Sequence, residues 1–321
     1  MTRTILKISG GAGSWAAGRK WLDENPGQLL ELLFTDTLCE DQDTYRFLIA
    51  AAANLLGVTL PAGFLPEIED FPAWEDRVAY KAYVLGLALR CTLLMPGFHW
   101  LSDGLDIFDV MERERFLGNS RADPCSKNLK RIASDRWLAA NCDPASTVVL
   151  VGIGPEEEER FLGDPKTGSR GLRARMADGG WTFRAPLLEG ERWYPHRIEA
   201  EMLRAGLWVQ RLYLRGFSHA NCGGGCVKAG IRMWLRMMHA FPERYAFWRA
   251  WEQRMRDLLG DVSMMTDRRK TLDNPEGGKR PLTLAALRTR TLSDEDLLHN
   301  GGGGEGCRCA TGDDVDLEEV A

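Results

Sequence analysis

A glycine-rich turn near the amino terminus has the composition of an anion-binding loop. The apolar run Ile5 to Ile8 leads into Ser9-Gly10-Gly11-Ala12-Gly13-Ser14, and residues that favour a helix follow. In such a turn consecutive backbone N–H groups converge on an anion, and the helix adds the positive end of its dipole. Tight turns also use glycine for geometric reasons alone. The position between a strand and a helix favours phosphate binding.

Paired cysteines indicate a metal or redox role. Cys222-Gly-Gly-Gly-Cys226 and Cys307-Arg-Cys309 together supply four thiols, enough to hold zinc or an iron–sulfur cluster. The alternative ligand set is Cys125, Cys222 and Cys226, which leaves one iron of a cluster open to bind a sulfur atom. The eight cysteines are too sparse for a secreted disulfide scaffold. An isolated cysteine is expected to be a small buried hydrophobe, and four cysteines are spread out in this way: Cys39, Cys91, Cys125 and Cys142.

Basic and hydroxyl side chains between residues 118 and 131 could grip phosphate or sulfate oxygens. Arg121 and Lys130 are the main candidates, with Ser126 between them. The equally weighted alternative is a solvated helix start. His219, beside the cysteine loop, is a candidate ligand or proton donor, although a lone histidine is more often structural. Three further arginines are expected on a solvated face: Arg170, Arg173 and Arg175.

Composition limits the class of protein. The 321 residues are 44% hydrophobic and 27% charged, which is typical of a globular chain with a substantial core. Much of the net charge of −5 comes from the last residues, so the body is near neutral. A neutral body argues against a generic binder of nucleic-acid backbone. No apolar run approaches the ~20 residues of a membrane span, so we expect a cytoplasmic protein without a membrane partner.

Strand and helix patterns alternate along the chain. Leu29 to Phe34 and Thr147 to Ile153 read as buried parallel strands, and Asp41 to Leu56 reads as a helix that stops at Gly57. The predicted fold class is therefore α/β, with an open, mostly parallel sheet and helices on both faces. In such sheets the ligand lies at the carboxyl ends of the strands.

Three regions follow from the composition. Residues 1–245 form the predicted nucleotide-binding domain, with a helical insertion at about 61–140 that covers the crevice. Residues 246–300 form a helical carboxyl-terminal extension, and beyond Gly230 two amphipathic helices separated near Pro242 are expected. Residues 301–321 form an acidic tail with cysteines, joined through a glycine hinge.

Several segments resemble one family. Ser9 to Ser14 resembles the PP-loop of the adenine nucleotide α-hydrolase superfamily, and later segments resemble its phosphoadenosine phosphosulfate (PAPS) reductase branch, including phage-encoded members. The matching segments occur in the family's order between about residues 4 and 245: Asp36-Thr37 with Glu40 and Tyr45-Arg46-Phe47, Gly152-Ile153 with Arg160, Pro186-Leu187 with Trp193, and Leu212 to Cys222 with Cys226.

The resemblance implies a sulfonucleotide enzyme. An adenine nucleotide, either PAPS, adenosine phosphosulfate (APS) or ATP, would bind between the turn, Asp36, Thr37 and Gly152. The implied cofactor is a [4Fe-4S] cluster or zinc, and the implied reductant is a thioredoxin-like protein. Family members also attack sulfur with a cysteine on a mobile tail, which makes Cys307 a candidate nucleophile, although Glu305-Gly306-Cys307 departs from the family's Glu-Cys-Gly order.

One departure from the superfamily pattern affects the expected reaction. ATP pyrophosphatases of the superfamily usually carry Asp at the position of Gly13, and its absence favours the reductase-like branch. We therefore expect sulfur reduction or transfer by an oxidoreductase or sulfurtransferase. One alternative is nucleotide-dependent modification, such as thiolation, of tRNA or DNA through the basic segments. The other is a nucleotide sensor that has lost turnover.

Overall fold

The structure is a computed structural model that describes residues 2–117, 124–267 and 277–290. Three predicted site residues lie outside the described residues: Arg121, Cys307 and Cys309. The predicted tail, residues 301–321, lies outside them as well.

Five parallel strands form the central sheet, in the spatial order β3-β2-β1-β4-β5. Their bounds are Arg3–Lys7 for β1, Glu31–Thr35 for β2, Phe98–Leu101 for β3, Thr147–Val151 for β4 and Thr182–Arg184 for β5. Helices flank this sheet, so the predicted α/β class with an open parallel sheet is confirmed.

The strand order reverses between β1 and β4. From β1 the chain adds β2 and β3 on one side, and it then returns to add β4 and β5 on the other. The two central strands pair from Arg3 with Thr147 to Lys7 with Val151. In open α/β sheets such a reversal opens a crevice at the carboxyl ends of the two strands. The glycine turn after β1 lies at this position.

Alternation along the strands separates two hydrophobic cores. Ile5 and Leu33 belong to the core on one face of the sheet, whereas Leu6 and Leu32 belong to the larger core on the other. Successive side chains of a strand point to opposite faces, so continuous apolar strands require cover on both faces. The helices provide that cover.

The helices confirm several sequence predictions. The helix predicted at Asp41 to Leu56 has Asp41 as its amino-terminal cap and Gly57 as its left-handed carboxyl-terminal cap. Two helices separated near Pro242 follow Gly230 as predicted. The helix bounds are Ala12–Glu24 for α1, Gln42–Leu56 for α2, Arg77–Leu94 for α3, Ile107–Arg113 for α4, Pro124–Ser126 for α5, Ala133–Asn141 for α6, Glu158–Leu162 for α7, Gly171–Asp178 for α8, Pro195–Arg204 for α9, Arg211–Leu214 for α10, Ile231–Ala240 for α11, Pro242–Leu259 for α12 and Leu284–Thr289 for α13.

The predicted helical insertion also supplies an edge strand. It contains α3 and α4, but β3 lies between them and pairs with β2. In the carboxyl-terminal part, β6 (Met265–Asp267) and β7 (Arg280–Leu282) form a small antiparallel sheet. No helix in the described ranges has both the length and the apolar character needed to cross a bilayer.

Candidate nucleotide and thiol site

The glycine turn is held by its own two serines. The Ser9 N–H donates to Ser14 Oγ (3.0 Å), and Ser14 Oγ donates to the Gly11 carbonyl (2.8 Å). The Gly11 N–H donates to Ser9 Oγ (3.3 Å), and the Ser14 N–H donates to the Gly11 carbonyl (3.2 Å). These internal bonds fix the turn immediately before α1, which begins at Ala12.

Three amides of the same turn remain available to a ligand. Within the described part of the chain, the N–H groups of Gly10, Ala12 and Gly13 make no hydrogen bond. Two of them, Ala12 and Gly13, are the first N–H groups of α1 and carry the positive end of the helix dipole. The N–H groups of Ser9, Gly11 and Ser14 are therefore used within the turn, and those of Gly10, Ala12 and Gly13 can bind an anion.

Close backbone contacts explain two of the predicted glycines. A Cβ atom on Gly152 would lie 2.5 Å from the Ser14 Cα atom, so the end of β4 packs directly on the start of α1. A Cβ atom on Gly10 would lie 2.1 Å from Thr44 Cγ2 in α2. Backbone packing therefore requires glycine at position 152, whereas a side chain at position 10 would have to displace the Thr44 methyl group.

Asp36 is enclosed at the end of β2. Its carboxylate accepts hydrogen bonds from Tyr45 Oη (2.7 Å), the Leu38 N–H (2.8 Å) and Trp100 Nε1 (2.9 Å). Burial raises the pKa of Asp36 to about 6, against the lowering effect of these donors. The structure thus places this predicted nucleotide contact in the core, with only 1% of its surface exposed.

A small pocket brings three predicted cysteines to one place. Its volume is about 20 Å³, close to the space of one water molecule. Residues from three distant parts of the sequence line it, among them Thr37, Cys125, Lys130, Cys222, Cys226 and Lys228. Of the three thiols, that of Cys125 is half-buried and those of Cys222 and Cys226 are buried. Arg121, predicted beside Lys130, lies outside the described residues.

A π-helical segment contains Lys130 and follows Cys125 closely. Residues Lys127–Ile132 form this segment, between α5 and α6. A π-helix has a wider turn than an α-helix, and such segments frequently occur at functional sites. Lys130 lies in this segment and Cys125 lies in α5 just before it, and both line the pocket.

Glu40 fixes the cysteine loop to the end of β2. The Cys222 N–H donates to Glu40 Oε2 (2.7 Å), and Thr37 Oγ1 donates to Glu40 Oε1 (3.1 Å). Lys130 Nζ lies 3.6 Å from the same Oε1 atom. Cys222 adopts a left-handed conformation with φ of 52°, which is rare outside glycine and marks a constrained loop.

Cys39 is a fourth thiol that the sequence did not single out. Thr37 Oγ1 lies 3.3 Å from its Sγ atom, and Cys39 is close enough to Cys222 to raise the pKa of that thiol. Burial raises the pKa of the Cys39 thiol. The hydrogen bond with Cys226 lowers the pKa of Cys222, but the one with Cys39 and burial raise it well above its ordinary value. No local motif could have revealed this contact, because it joins the end of β2 to a loop far along the chain.

The described residues do not supply a complete set of metal ligands. In residues 2–117, 124–267 and 277–290, no group of three or more His, Cys, Asp and Glu side chains is arranged to hold a metal ion. These residues alone therefore do not fit the predicted centre. Cys307 and Cys309 lie outside them, and the metal centre stays a prediction.

His219 lies apart from the pocket lining. It is half-buried in the loop before Cys222, and the residues that line the pocket do not include it. Ser9 is exposed at the start of the turn, and Thr37 is buried below the pocket. The structure thus brings Thr37, Cys125 and Lys130 together with the paired cysteines, but leaves His219 outside that group.

Comparisons of this chain with protein-family models, with curated proteins and with solved structures found no match.

Proposed function

We propose that the chain binds an adenine nucleotide at the glycine turn and reduces an activated sulfate group with the thiols of the nearby pocket. The main support is the position of the Ala12 and Gly13 amides at the start of α1, where the strand order reverses. Bound phosphate would receive these N–H groups and the positive end of the helix dipole. Because Gly13 has no side chain, the turn lacks the carboxylate that ATP pyrophosphatases use.

The start of α2 connects the turn with the thiol pocket. Thr44 packs against Gly10 of the turn, and Glu40, just before the helix, accepts the Cys222 N–H. The two halves of the proposed site are therefore supported by one short segment, residues 40–44. A nucleotide held at the turn would direct its sulfate toward the same edge of the sheet.

The pocket residues suit a two-thiol reduction of a sulfonucleotide. Cys125 Sγ, as thiolate, attacks the sulfur atom, the bond from sulfur to the phosphate oxygen breaks, and the nucleoside phosphate leaves. The Cys226 thiol then attacks Cys125 Sγ, so that a disulfide forms, sulfite leaves and the thiol proton passes to solvent. A dithiol protein of the thioredoxin class restores both thiols. Lys130 and Lys228 are among the residues that line the pocket, and a nearby positive charge favours the thiolate; Lys130 shares its charge with Glu40 (3.6 Å).

Ion pairing of the basic segments gives less support to a nucleic-acid substrate. Arg113 pairs with Glu114 (3.1 Å), and Arg136 Nη1 lies 3.9 Å from Asp103. Arg170 pairs with Asp178 (2.8 Å). Cations that are neutralised by their own chain contribute less to phosphate-backbone binding. We therefore propose the small sulfonucleotide as substrate.

The binding half of the proposal is tested with Gly11→Leu. A Cβ atom on Gly11 meets only Ser9 Oγ, at 3.5 Å, so the fold accepts a side chain that would obstruct the turn. Ala140→Leu in α6 is the control, because Ala140 is exposed and lies next to Asn141, which contacts Arg3 at the start of β1 and not at the turn. Calorimetric titration with PAPS, APS and ATP should show at least ~10-fold weaker binding for Gly11→Leu only, a loss of about 1.4 kcal/mol. Equal affinity in both variants would contradict binding at the turn.

The chemical half is tested by sulfite release in the presence of thioredoxin and its reductase. Cys125→Ser should abolish sulfite release while nucleotide affinity is retained. Cys142→Ser is the control, because Cys142 is also half-buried but contacts Arg3 (3.3 Å) at the amino end of β1. If the wild-type protein binds the nucleotide and leaves it unchanged, the enzyme proposal fails and the sensor alternative replaces it.

A further inference from the structure

Helix α3 presents an exposed apolar face. Seven of its residues are exposed, and Arg90 is the only charged one among them. The others recur at spacings of three and four along one side of the helix: Val78 (79% exposed), Ala82, Leu85 (40%), Gly86, Leu89 (62%) and Leu93 (75%). Contiguous apolar patches of this kind mark interaction surfaces. We propose that this face binds a second copy of the chain, through antiparallel pairing of the two α3 helices.

The residue sizes along the face are self-complementary. With a two-fold axis between Leu85 and Gly86, each Leu85 lies opposite the partner's Gly86. Each Leu89 then lies opposite the partner's Ala82. At the ends of the face, Val78 and Leu93 of opposite chains meet. A two-fold interface must use the same patch on both copies, and a pattern that sets large residues against small ones meets that condition.

Gly86 has no explanation in the contacts of the described residues. Its position is exposed in the middle of α3, and an added Cβ atom would meet nothing within 4 Å. Glycine inside a helix is destabilising relative to alanine, because it adds backbone freedom to the unfolded chain. Close approach of another helix supplies a reason for glycine here, since small residues allow two helix axes to come together.

Cations beside the face are already engaged by their own chain. Lys81 Nζ pairs with Asp109 (2.7 Å), and Arg90 lies over the ring of Phe64 at 5.0 Å. In the proposed register Arg90 lies opposite the partner's Lys81. Because Asp109 compensates the charge of Lys81, repulsion between Lys81 and Arg90 across the interface is reduced.

The size of the face sets the expected affinity. From Val78 to Leu93 it extends about 22 Å along the helix axis. One helix pair of this length buries less than the roughly 800 Å² per partner of a standard stable interface. We therefore expect a dimer that dissociates on dilution, with a Kd in the micromolar range.

Sedimentation equilibrium of the full chain, from about 1 to about 200 μM, tests the proposal. The wild-type protein should change from monomer to dimer over this range, and Leu89→Lys should weaken association at least ~10-fold. Leu214→Lys is the matched control, since Leu214 is a 73% exposed leucine on α10. A wild-type protein that stays monomeric, or a dimer that Leu89→Lys leaves intact, would overturn the proposal.

Gly86→Leu distinguishes specific helix pairing from non-specific association. The variant adds exposed apolar surface without a clash in its own chain, so non-specific association would become stronger. Close pairing at Gly86 predicts the reverse, a dimer at least ~10-fold weaker. Mixing Ala82→Cys chains with Leu89→Cys chains gives a second measurement. A short bismaleimide should join position 82 to position 89, and cross-links from 82 to 82 would overturn the antiparallel register.

Discussion

At the residue scale, Asp36 shows that a residue of a binding motif can be buried and can stabilise a loop. The Asp-Thr pair after β2 predicts a nucleotide contact, yet the Asp36 carboxylate is occupied by three donors in the core. Tyr45, part of the same resemblance, donates one of these bonds. Asp36 therefore supports the loop after β2, which brings Thr37 to the pocket and Glu40 to the N–H group of Cys222.

Asp36 should make stability depend on pH. Its pKa of about 6 in the folded protein exceeds the ordinary 3.8, so the folded state holds this proton more tightly than the unfolded chain. The resulting stabilisation is fully present below the unfolded pKa and is lost as the pH rises through the folded pKa. Relative to Asp36→Asn, the wild-type protein should lose roughly 2 kcal/mol of unfolding free energy between about pH 4.5 and about pH 7. Urea denaturation at several pH values measures this, and a constant difference between the two proteins would contradict it.

Cys39 marks a limit of sequence analysis at the same scale. A single cysteine after a strand carries no local signal, and burial as a small hydrophobe is the correct default. Its neighbour Glu40 contacts Cys222 across 182 positions of sequence. The contact depends on how the loop after β2 meets the cysteine loop, which only tertiary structure determines. The Cys222 and Cys226 pair, in contrast, was predictable from spacing alone.

At the element scale, β1 and α2 were predictable because each has a strong local signal. A continuous apolar run precedes the glycine turn, and α2 carries a capping aspartate and a terminal glycine. The strand β3 has no such signal. Its residues, Phe98 to Leu101, include no β-branched side chain and follow a helix closely. Pairing with β2 is what makes this segment a strand, and pairing is not encoded locally.

The crossing of β4 and α1 gives an element-scale prediction. Gly152→Ala places a methyl group 2.5 Å from the Ser14 Cα atom and forces the end of β4 away from the turn. We expect a loss of about 1–3 kcal/mol in unfolding free energy, together with weaker nucleotide binding. Gly154→Ala is the control, because its φ of −91° suits alanine and a Cβ atom there meets nothing within 4 Å. Urea denaturation of both variants measures the difference, and equal stabilities would show that β4 does not pack on α1 this closely.

At the scale of the whole molecule, one buried ion pair network joins the sheet domain to the helical carboxyl-terminal part. Asp41, at the start of α2, accepts two bonds from Arg211 (2.7 and 2.8 Å) and one from Arg244 Nη1 (3.0 Å). Arg244 Nη1 also donates to the carbonyl of Gly223 in the cysteine loop (2.8 Å). The two arginines lower the pKa of Asp41 against the opposing effect of burial. Helix α12 carries Arg244 and continues to Leu259, so this helix runs across residue 245.

Arg244→Met should test this connection. Methionine keeps apolar packing over Trp74 but removes the charge that compensates Asp41, which is fully buried. Loss of one partner of a buried pair leaves an uncompensated charge, and because Arg211 remains we expect a cost of about 3 kcal/mol in unfolding free energy. Arg254→Met removes an exposed pair with Glu112 and should cost less than about 1 kcal/mol. Because Arg244 also holds the Gly223 carbonyl, alkylation of Cys222 and Cys226 should become faster in Arg244→Met alone. Equal stabilities and equal alkylation rates in the two variants would mean that the helical part is held in place without this pair.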